Sequence, residues 1–212
     1  MKYDHIVWDF NGTLLDDVMT GIVSVNCLLR DRGLAEIGGV EEYRRVFRFP
    51  IIEYYRALGF DFDKEPYEVV APQWVKLYLE NVVDAGLYAD AEWALERLRN
   101  MGVRQTLLSA TELTMLRGQV SSLGIEVYFD RILGLDNIHA GSKLALARLW
   151  REEYPNDRAI VIGDTDHDVD TARELNADCV LVCRGHQSKE YLLTLGVPVA
   201  DDISGAFEYL IK

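Results

Sequence analysis

The sequence has little cysteine, little positive charge and no long apolar run. Its three cysteines are odd in number and lack zinc-ligand spacing, which disfavours a disulfide framework and favours a reducing compartment. The 35 acidic side chains outnumber the 22 basic ones, and the net charge of −13 disfavours binding to nucleic acid or to an anionic membrane. No signal-peptide pattern or membrane-length apolar stretch is present. We therefore expect a cytoplasmic protein.

The remaining composition is that of a globular chain with a substantial core. Of its 212 residues, 49% are hydrophobic, and the length suits one domain with a sizeable insertion. The four histidines are scattered without a partner at zinc-ligand spacing, so a zinc site is not expected; they are His5, His139, His167 and His186. The sequence leaves the oligomeric state open.

Short apolar runs alternate with helical patterns along most of the chain. The runs that predict strands are residues 5–10, 103–109, 159–163 and 179–183, with two shorter candidates at 131–134 and 197–200. The patterns that predict helices between them are residues 89–101, 113–123, 142–153 and 168–175. This alternation predicts an α/β fold with a parallel sheet covered on both faces.

One long stretch near the start breaks the alternation. Residues 17–86 contain no convincing strand, and their helical patterns lie at residues 18–32, 41–47, 51–58 and 67–83. We predict that residues 17–86 form an inserted helical subdomain, and that residues 1–16 and 87–212 form the α/β core. An insertion anchored just after the first strand can fold back over the strand ends and close on a ligand.

The residues with reactive side chains lie at the predicted strand ends, where open α/β sheets bind their ligands. Asp9 ends the first strand, Ser109 ends the second, and residues 163–168 (Gly-Asp-Thr-Asp-His-Asp) follow a later one. Lys143 lies near the start of the helix that precedes this later strand. The topology thus predicts several carboxylates, a hydroxyl and an ammonium group around one cavity.

These groups together indicate phosphate chemistry. Neighbouring carboxylates repel each other unless a cation neutralises them, and oxygen ligands without histidine or cysteine favour Mg²⁺. A lysine and a hydroxyl beside that cation suit a phosphate group. The backbone N–H groups of Gly12 and Thr13 are candidates to approach the same anion. The residues therefore predict a Mg²⁺-dependent phosphoryl site.

Four motifs in order resemble the signatures of the haloacid dehalogenase (HAD) superfamily. They are Asp9-Phe10-Asn11-Gly12-Thr13-Leu14, then Thr106-Leu107-Leu108-Ser109, then Lys143, then Gly163-Asp164-Thr165-Asp166-His167-Asp168. The helical insertion resembles the family's C1-type cap, and length and cap type are most similar to the phosphoglycolate phosphatase-like branch. The resemblance implies a Rossmann-like core and a phosphatase that acts on a small phosphorylated metabolite.

The resemblance also implies roles for individual residues. Asp9 would attack phosphorus and form an aspartyl-phosphate. Mg²⁺ would be held by Asp9, the backbone carbonyl of Asn11, and Asp164. Asp168 would brace Lys143 or order a metal-bound water. The residues implied in phosphate binding are Gly12, Thr13, Ser109, Ala110 and Lys143.

Asn11 departs from the pattern, because phosphatases of this superfamily usually carry a second aspartate two positions after the nucleophile. An amide has no proton to exchange near neutral pH, and general acid–base catalysis is typically worth ~10²- to 10⁴-fold. The substrate could have a good leaving group, another residue could supply the proton, or the protein could be a slow phosphate-binding regulator. A deliberate Asp→Asn exchange would give the same sequence. The dehalogenase branch also lacks this acid, but it needs no metal site.

Each residue also has an ordinary structural interpretation. Asp164 suits a turn, Asp168 a helix start, Ser109 a helix cap and Lys143 a solvated surface. Only Asp9, an acid at the end of an apolar strand, is hard to explain by structure. A basic cluster in the insertion, Arg44, Arg45 and Arg48, suits a helix surface better than an anion site.

Overall fold

In the computed structural model, which describes residues 2–136 and 143–211, six strands form one parallel sheet. The strands are β1 (His5–Trp8), β2 (Arg104–Glu112), β3 (Arg131–Leu135), β4 (Ala159–Gly163), β5 (Asp178–Val182) and β6 (Val199–Ala200). Their spatial order is β3-β2-β1-β4-β5-β6, with every neighbouring pair parallel. This order is that of a doubly wound Rossmann-like sheet, which confirms the predicted α/β class.

The sheet is buried on both faces because its strands carry apolar side chains at successive positions. Ile6 and Trp8 pack into one hydrophobic cluster and Val7 into the other, as the alternation of side chains along a strand requires. The helices of the core are α5 (Ala91–Asn100), α6 (Leu113–Ser122), α7 (Leu144–Glu153), α8 (Asp166–Leu175), α9 (Lys189–Leu192) and α10 (Ile203–Ile211). Three short 3₁₀ turns lie at Val82–Asp84, Glu126–Tyr128 and Leu193–Leu195.

The predicted elements differ from the observed ones mainly at their ends. Both shorter strand candidates exist as β3 and β6, and β2 is longer than predicted. The helix predicted from residue 142 is seen as α7, while its predicted first residue Ser142, like His139, lies outside the described residues. The C-terminal helix α10 lies outside the predicted elements, although its buried residues follow helical spacing.

The inserted block forms a helical cap with its own apolar core. Its helices are α1 (Val18–Asp31), α2 (Val40–Val46), α3 (Ile51–Ala57) and α4 (Tyr67–Asn81). Apolar and aromatic side chains of all four helices share one buried cluster. No strand occurs in residues 18–84, whose backbone the structure describes throughout. The limits of 17–86 for this block remain a prediction.

Two general features bear on the chemistry of the chain. Cys27, Cys179 and Cys183 are free thiols. Within the described part of the chain, every helix falls short of the length and apolar character needed to cross a lipid bilayer.

Candidate active site

Asp9 lies at the carboxyl end of β1, between the ends of β2 and β4. Ligands of open α/β sheets bind where the strand order reverses, and β1 is that strand here. The Asp9 N–H donates to the Ile162 carbonyl at 2.9 Å, which continues the strand pairing and fixes the residue at the sheet edge. Asp9 is 8% exposed, so its carboxylate is largely shielded from solvent.

Lys143 connects two aspartates at this edge. It is the residue before α7, it is buried, and its Nζ donates to Asp9 Oδ1 and to Asp168 Oδ1 at 2.6 Å each. Burial opposes the charge of Lys143, but the two carboxylates outweigh burial and raise its pKa. Burial also raises the pKa of Asp9 well above its ordinary value, and Asp168 and Asp164 add to this against the attraction of Lys143. Three carboxyl groups, those of Asp9, Asp164 and Asp168, thus lie close together beside the single ammonium group of Lys143.

Asp168 serves both the helix start and the lysine. Its Oδ2 accepts hydrogen bonds from the N–H groups of Asp164 and Thr165, at 3.1 and 3.0 Å, and from the Thr165 hydroxyl at 2.9 Å. Thr165 and Asp168 form the capping box of α8. The other oxygen, Oδ1, accepts from Lys143. Asp168 therefore acts both as a helix-start carboxylate and as a hydrogen-bond partner of Lys143.

Asp164 is enclosed by two glycines. Its Oδ1 accepts from the Thr13 hydroxyl at 3.1 Å, and its Oδ2 accepts from the His186 N–H at 2.6 Å. A Cβ at Gly12 would lie 2.5 Å from Asp164 Oδ2, and one at Gly185 only 2.1 Å from it, so neither position admits a side chain. Burial raises the pKa of Asp164 to about 6, although the His186 charge pulls in the opposite direction.

The N–H groups of Gly12 and Thr13 are hydrogen-bonded within their own segment of the chain. Gly12 N–H donates to the Leu15 carbonyl at 3.0 Å and to Asp17 Oδ1 at 2.8 Å, and Thr13 N–H donates to the Phe10 carbonyl at 3.3 Å. The loop closes on itself, and these hydrogen bonds use the donors that a phosphate would need. The phosphate-binding role of Gly12 and Thr13 stays a prediction, and the structure shows that both residues shape this loop and that the Thr13 hydroxyl donates to Asp164.

The side chain of Asn11 is fully hydrogen-bonded. Its Nδ2 donates to Asp17 Oδ2 and to Tyr78 Oη at 2.8 Å each, and its Oδ1 accepts from the Thr111 hydroxyl at 2.8 Å. Tyr78 Oη in turn donates to Asp17 Oδ2 at 2.6 Å. An amide matches this environment, because an aspartate at position 11 would place a second carboxylate against Asp17.

Three residues outside the predicted site connect the cap to the core at this point. His186 Nδ1 lies 2.8 Å from Tyr43 Oη, and His186 Nε2 lies 3.4 Å from Asp17 Oδ1. Burial disfavours the charge of His186, but Asp17 and Asp164 outweigh burial and raise its pKa to about 9. The position of His186 after β5 is a sequence signal for a strand-end residue, whereas no sequence pattern indicates its pairing with Asp17 or Tyr43.

The segment from Ser109 to Glu112 is an irregular end of β2. The pairing register with β3 shifts between Leu108 and Glu112, which is typical of bulged strands beside functional sites. The Ser109 hydroxyl donates to Thr111 Oγ1 at 3.1 Å, and Ser109 and Ala110 both line the cavity. The residue that caps α6 is Glu112, so Ser109 is not the helix cap.

Other charged residues considered from the sequence lie outside the cavity lining. Asp166 accepts hydrogen bonds from Gln187 Nε2 at 2.8 Å and from Tyr191 Oη at 2.9 Å. Arg45 and Arg48 are exposed and donate to backbone carbonyls of the cap. Both arginines therefore fit the surface interpretation.

A cavity of about 180 Å³ lies between the core and the cap. Of the predicted site residues it is lined by Asp9, Asn11, Ser109, Ala110, Lys143 and Asp164, whereas Gly12, Thr13 and Asp168 lie behind this lining. The wall opposite these residues consists mainly of aromatic side chains of the cap. The site can therefore bring a small ligand against Asp9 while the cap excludes water from the other side.

A side chain at Gly12 should damage the site. We expect Gly12→Ala to lower the free energy of unfolding by about 1–3 kcal/mol, because the backbone at position 12 is left-handed, with φ at +73°. The new Cβ would also clash with the Asp164 carboxylate. Any catalytic activity that depends on Asp164 should fall more than ~10-fold. Gly118→Ala is the matched control, since this exposed glycine within α6 has open space around it and should gain about 0.5–1 kcal/mol. Equal effects of the two changes in urea unfolding would contradict this account.

The chain is similar to known proteins over most of its length. Phosphoglycolate phosphatases from Rhodobacter capsulatus and Aquifex aeolicus are 24% and 27% identical to it, over 86% and 85% of this chain and 85% of each relative. A haloacid dehalogenase-like family hydrolase from Streptococcus pneumoniae superimposes with a TM-score of 0.83 at 20% identity, over 99% of both chains. Protein Tyrosine Kinase A from Mycobacterium tuberculosis superimposes with a TM-score of 0.82 at 23% identity, over 100% of this chain and 99% of that one.

At these identities the structural similarities establish the fold alone. The family is established by sequence, because the profile described as haloacid dehalogenase-like hydrolase matches residues 6–182. This range contains the whole cap, four of the six strands in full, and every residue of the acidic cluster, and it extends through β5. The chain therefore belongs to the haloacid dehalogenase-like hydrolase family.

Proposed function

We propose that this protein is a Mg²⁺-dependent phosphatase that hydrolyses a small phosphate monoester through an aspartyl-phosphate on Asp9. The observation that carries the proposal is the position of Asp9 at the strand-order reversal, in contact with buried Lys143 and facing the cavity between core and cap. Relatives that carry the name phosphoglycolate phosphatase support the same reaction class.

The acidic cluster suits a divalent cation. Carboxylate oxygens of Asp9, Asp164 and Asp168 lie within 4.8 Å of one another, and burial raises the pKa of Asp9 and of Asp164. Asp9, Asp164 and the backbone carbonyl of Asn11 are the proposed ligands, because these three residues line the cavity, whereas Asp168 lies behind the lining and accepts a hydrogen bond from Lys143. When bound, Mg²⁺ would neutralise charge and polarise the phosphoryl group.

The protein residues would carry out two displacements. In the first, Asp9 Oδ2 forms a bond to phosphorus while the bond from phosphorus to the leaving oxygen breaks, and that oxygen departs with the electron pair. Lys143 and the Ser109 hydroxyl would hold phosphoryl oxygens during the transfer. In the second, a water oxygen bonds to phosphorus and the bond to Asp9 breaks, which releases phosphate and restores the carboxylate. One proton of this water stays on phosphate and the other passes to solvent.

Asn11 favours a second candidate function. Both N–H donors of its carboxamide are held by Asp17 and Tyr78, so none is left for the leaving oxygen, and an amide has no proton to exchange with the attacking water. Slow hydrolysis of the aspartyl-phosphate would leave a phosphate-binding or regulatory protein. A haloacid hydrolase is a further alternative from the sequence, and no contact in the site favours it.

Phosphate release from p-nitrophenyl phosphate and acetyl phosphate, with Mg²⁺ or with EDTA, tests the proposal. A phosphatase should turn over at least one of them with Mg²⁺ and neither with EDTA. Binding of Mg²⁺ and phosphate without turnover would favour the regulatory candidate. Turnover of a 2-haloacid without metal would favour the dehalogenase.

Mg²⁺ should also stabilise the fold, independently of any activity. We expect saturating Mg²⁺ to raise Tm by at least about 4 °C, because a ligand at ~100-fold above its Kd contributes roughly 2.7 kcal/mol. Asp164→Asn should remove the shift, since it replaces a proposed ligand by an amide. Asp166→Asn is the matched control, because Asp166 contacts Gln187 and Tyr191 instead of the cluster. A Tm that does not respond to Mg²⁺ in the native protein would contradict the metal assignment.

A further inference from the structure

The cap side of the cavity consists mainly of aromatic side chains. Its lining includes the rings of Tyr43, Phe47, Phe49, Tyr54, Tyr55, Tyr67, Trp74 and Tyr78. Ile51 of the cap and Met115 of α6 also line the cavity. Such walls bind planar apolar groups through stacking and through the removal of apolar surface from water.

Two of these rings already stack against histidines of the core. Phe49 stacks on His167 with ring centroids 3.6 Å apart, and Phe47 stacks on His186 at 5.1 Å. All four of these rings line the cavity. The Tyr54 hydroxyl at this wall is buried and has no hydrogen-bond partner among the described residues, so it is available for a polar substituent on a bound ring.

The charges around the cavity disfavour a substrate with an anionic tail. Within the described chain, Lys143 is the only lysine or arginine of the lining, and it is paired with Asp9 and Asp168. Arg44 lies nearby in the cap, but its guanidinium donates to the carbonyls of Arg184 and Gly185. The lining contains the acids Asp17 and Glu112 in addition to those of the cluster. His186 also lines the cavity, and it is paired with Asp17, since its Nε2 lies 3.4 Å from Asp17 Oδ1. A carboxylate beside the phosphate would therefore be buried without an unpaired cation.

The leaving group must depart without a proton from position 11. The donors of the Asn11 amide are held by Asp17 and Tyr78, so the leaving oxygen receives no help there. A phenolate departs as an anion far more readily than an alkoxide, because phenols such as tyrosine have a pKa near ~10. An aryl phosphate has both properties that the site favours: a ring that can pack on the aromatic side chains, and a leaving group that needs no proton from position 11.

The size of the cavity suits a substrate with one ring. Its volume is about 180 Å³, and an apolar protein cavity of about 150 Å³ is known to bind benzene. We propose that the substrate class is a phosphate monoester of a single-ring phenol, held with its ring between the aromatic side chains of the cap and its phosphoryl group at Asp9. This inference rests on the phosphatase function proposed above.

The decisive comparison uses four substrates with Mg²⁺: phenyl phosphate, benzyl phosphate, phosphoglycolate and acetyl phosphate. We expect kcat/KM for phenyl phosphate to exceed that for phosphoglycolate by at least ~100-fold, because the phosphoglycolate carboxylate has no partner. Benzyl phosphate carries a ring but a poor leaving group. It should inhibit phenyl phosphate hydrolysis competitively and turn over at least ~10-fold more slowly.

A variant of the aromatic wall separates specificity from folding. Phe49→Arg should lower the ratio of kcat/KM for phenyl phosphate over phosphoglycolate at least ~10-fold, since it removes a ring and adds a cation. Both substrates are measured on one preparation, so a loss of folded protein cancels in the ratio. Arg45→Ala is the control, because Arg45 is exposed on the same cap and does not line the cavity, and its ratio should match that of the native protein.

Turnover of acetyl phosphate distinguishes a failure of the proposed substrate class from a failure of the proposed phosphatase function. Turnover of acetyl phosphate together with phosphoglycolate at least as fast as phenyl phosphate would overturn the substrate class and leave the phosphatase intact. An unchanged ratio in Phe49→Arg would overturn the position proposed for the ring. No turnover of any of the four would overturn the phosphatase function and the substrate class with it.

Discussion

Replacement of Asp9 by asparagine is expected to reduce phosphate release by more than ~10³-fold, because the amide cannot form the aspartyl-phosphate. The fold should survive, since Lys143 keeps its contact with Asp168 Oδ1 at 2.6 Å and the change preserves the shape of the side chain. Steady-state phosphate release and a thermal melt of the same sample measure the two effects.

Asp166→Asn serves as the control for Asp9→Asn. Asp166 lies in the same strand-end motif, but it contacts Gln187 and Tyr191 and does not line the cavity. This variant should retain nearly native activity. Activity of Asp9→Asn within tenfold of the native protein would contradict the assignment of Asp9 as nucleophile.

Exchange of the two residues in the Asn11–Asp17 pair is expected to create a faster enzyme on poor leaving groups. Asn11→Asp combined with Asp17→Asn keeps one amide and one carboxylate facing each other, and it places an exchangeable proton at position 11. We expect kcat/KM for benzyl phosphate to rise ~10²-fold, the usual contribution of a general acid. The value of kcat/KM for phenyl phosphate, which reports the first displacement, should change much less, because phenolate needs little protonation.

The single changes are the controls for this exchange. Asn11→Asp alone would place two carboxylates where Asn11 Nδ2 and Asp17 Oδ2 are now 2.8 Å apart, so part of its gain should be lost to repulsion and to a lower Tm. Asp17→Asn alone should bring no gain, because position 11 still lacks a proton. A full gain from Asn11→Asp alone would show that Asp17 does not determine the residue at position 11.

Much of the fold follows from local sequence patterns. Runs such as residues 159–163 predict a buried strand almost to the residue, because a parallel strand covered on both faces must be apolar throughout. The end of β2 could not be predicted in this way. Its pairing register shifts between Leu108 and Glu112, and three of its last four residues, Ser109, Thr111 and Glu112, are polar and line the cavity.

The site was predictable where a residue follows a strand and not where it depends on a distant partner. Asp9 and Asp164 each follow an apolar strand, and the structure brings them together. The contact of Asn11 with Tyr78 spans 67 positions, and that of Tyr43 with His186 spans 143, so no local pattern carries either of them. The loop of Gly12 and Thr13 shows a different limit. A glycine in a turn predicts that another group packs closely against the backbone, but it does not predict that this group is the Asp164 carboxylate.

Rapid quenching of the native protein with phenyl phosphate and Mg²⁺ tests whether Asp9 forms a covalent phosphoryl intermediate. Because Asn11 cannot accept a proton from the attacking water, hydrolysis of the aspartyl-phosphate should be the slower step and the intermediate should accumulate. We predict a burst of phenol and a phosphoryl adduct that mass spectrometry assigns to Asp9, absent from Asp9→Asn. An adduct on another residue, or steady phosphate release that persists in Asp9→Asn, would contradict the mechanism.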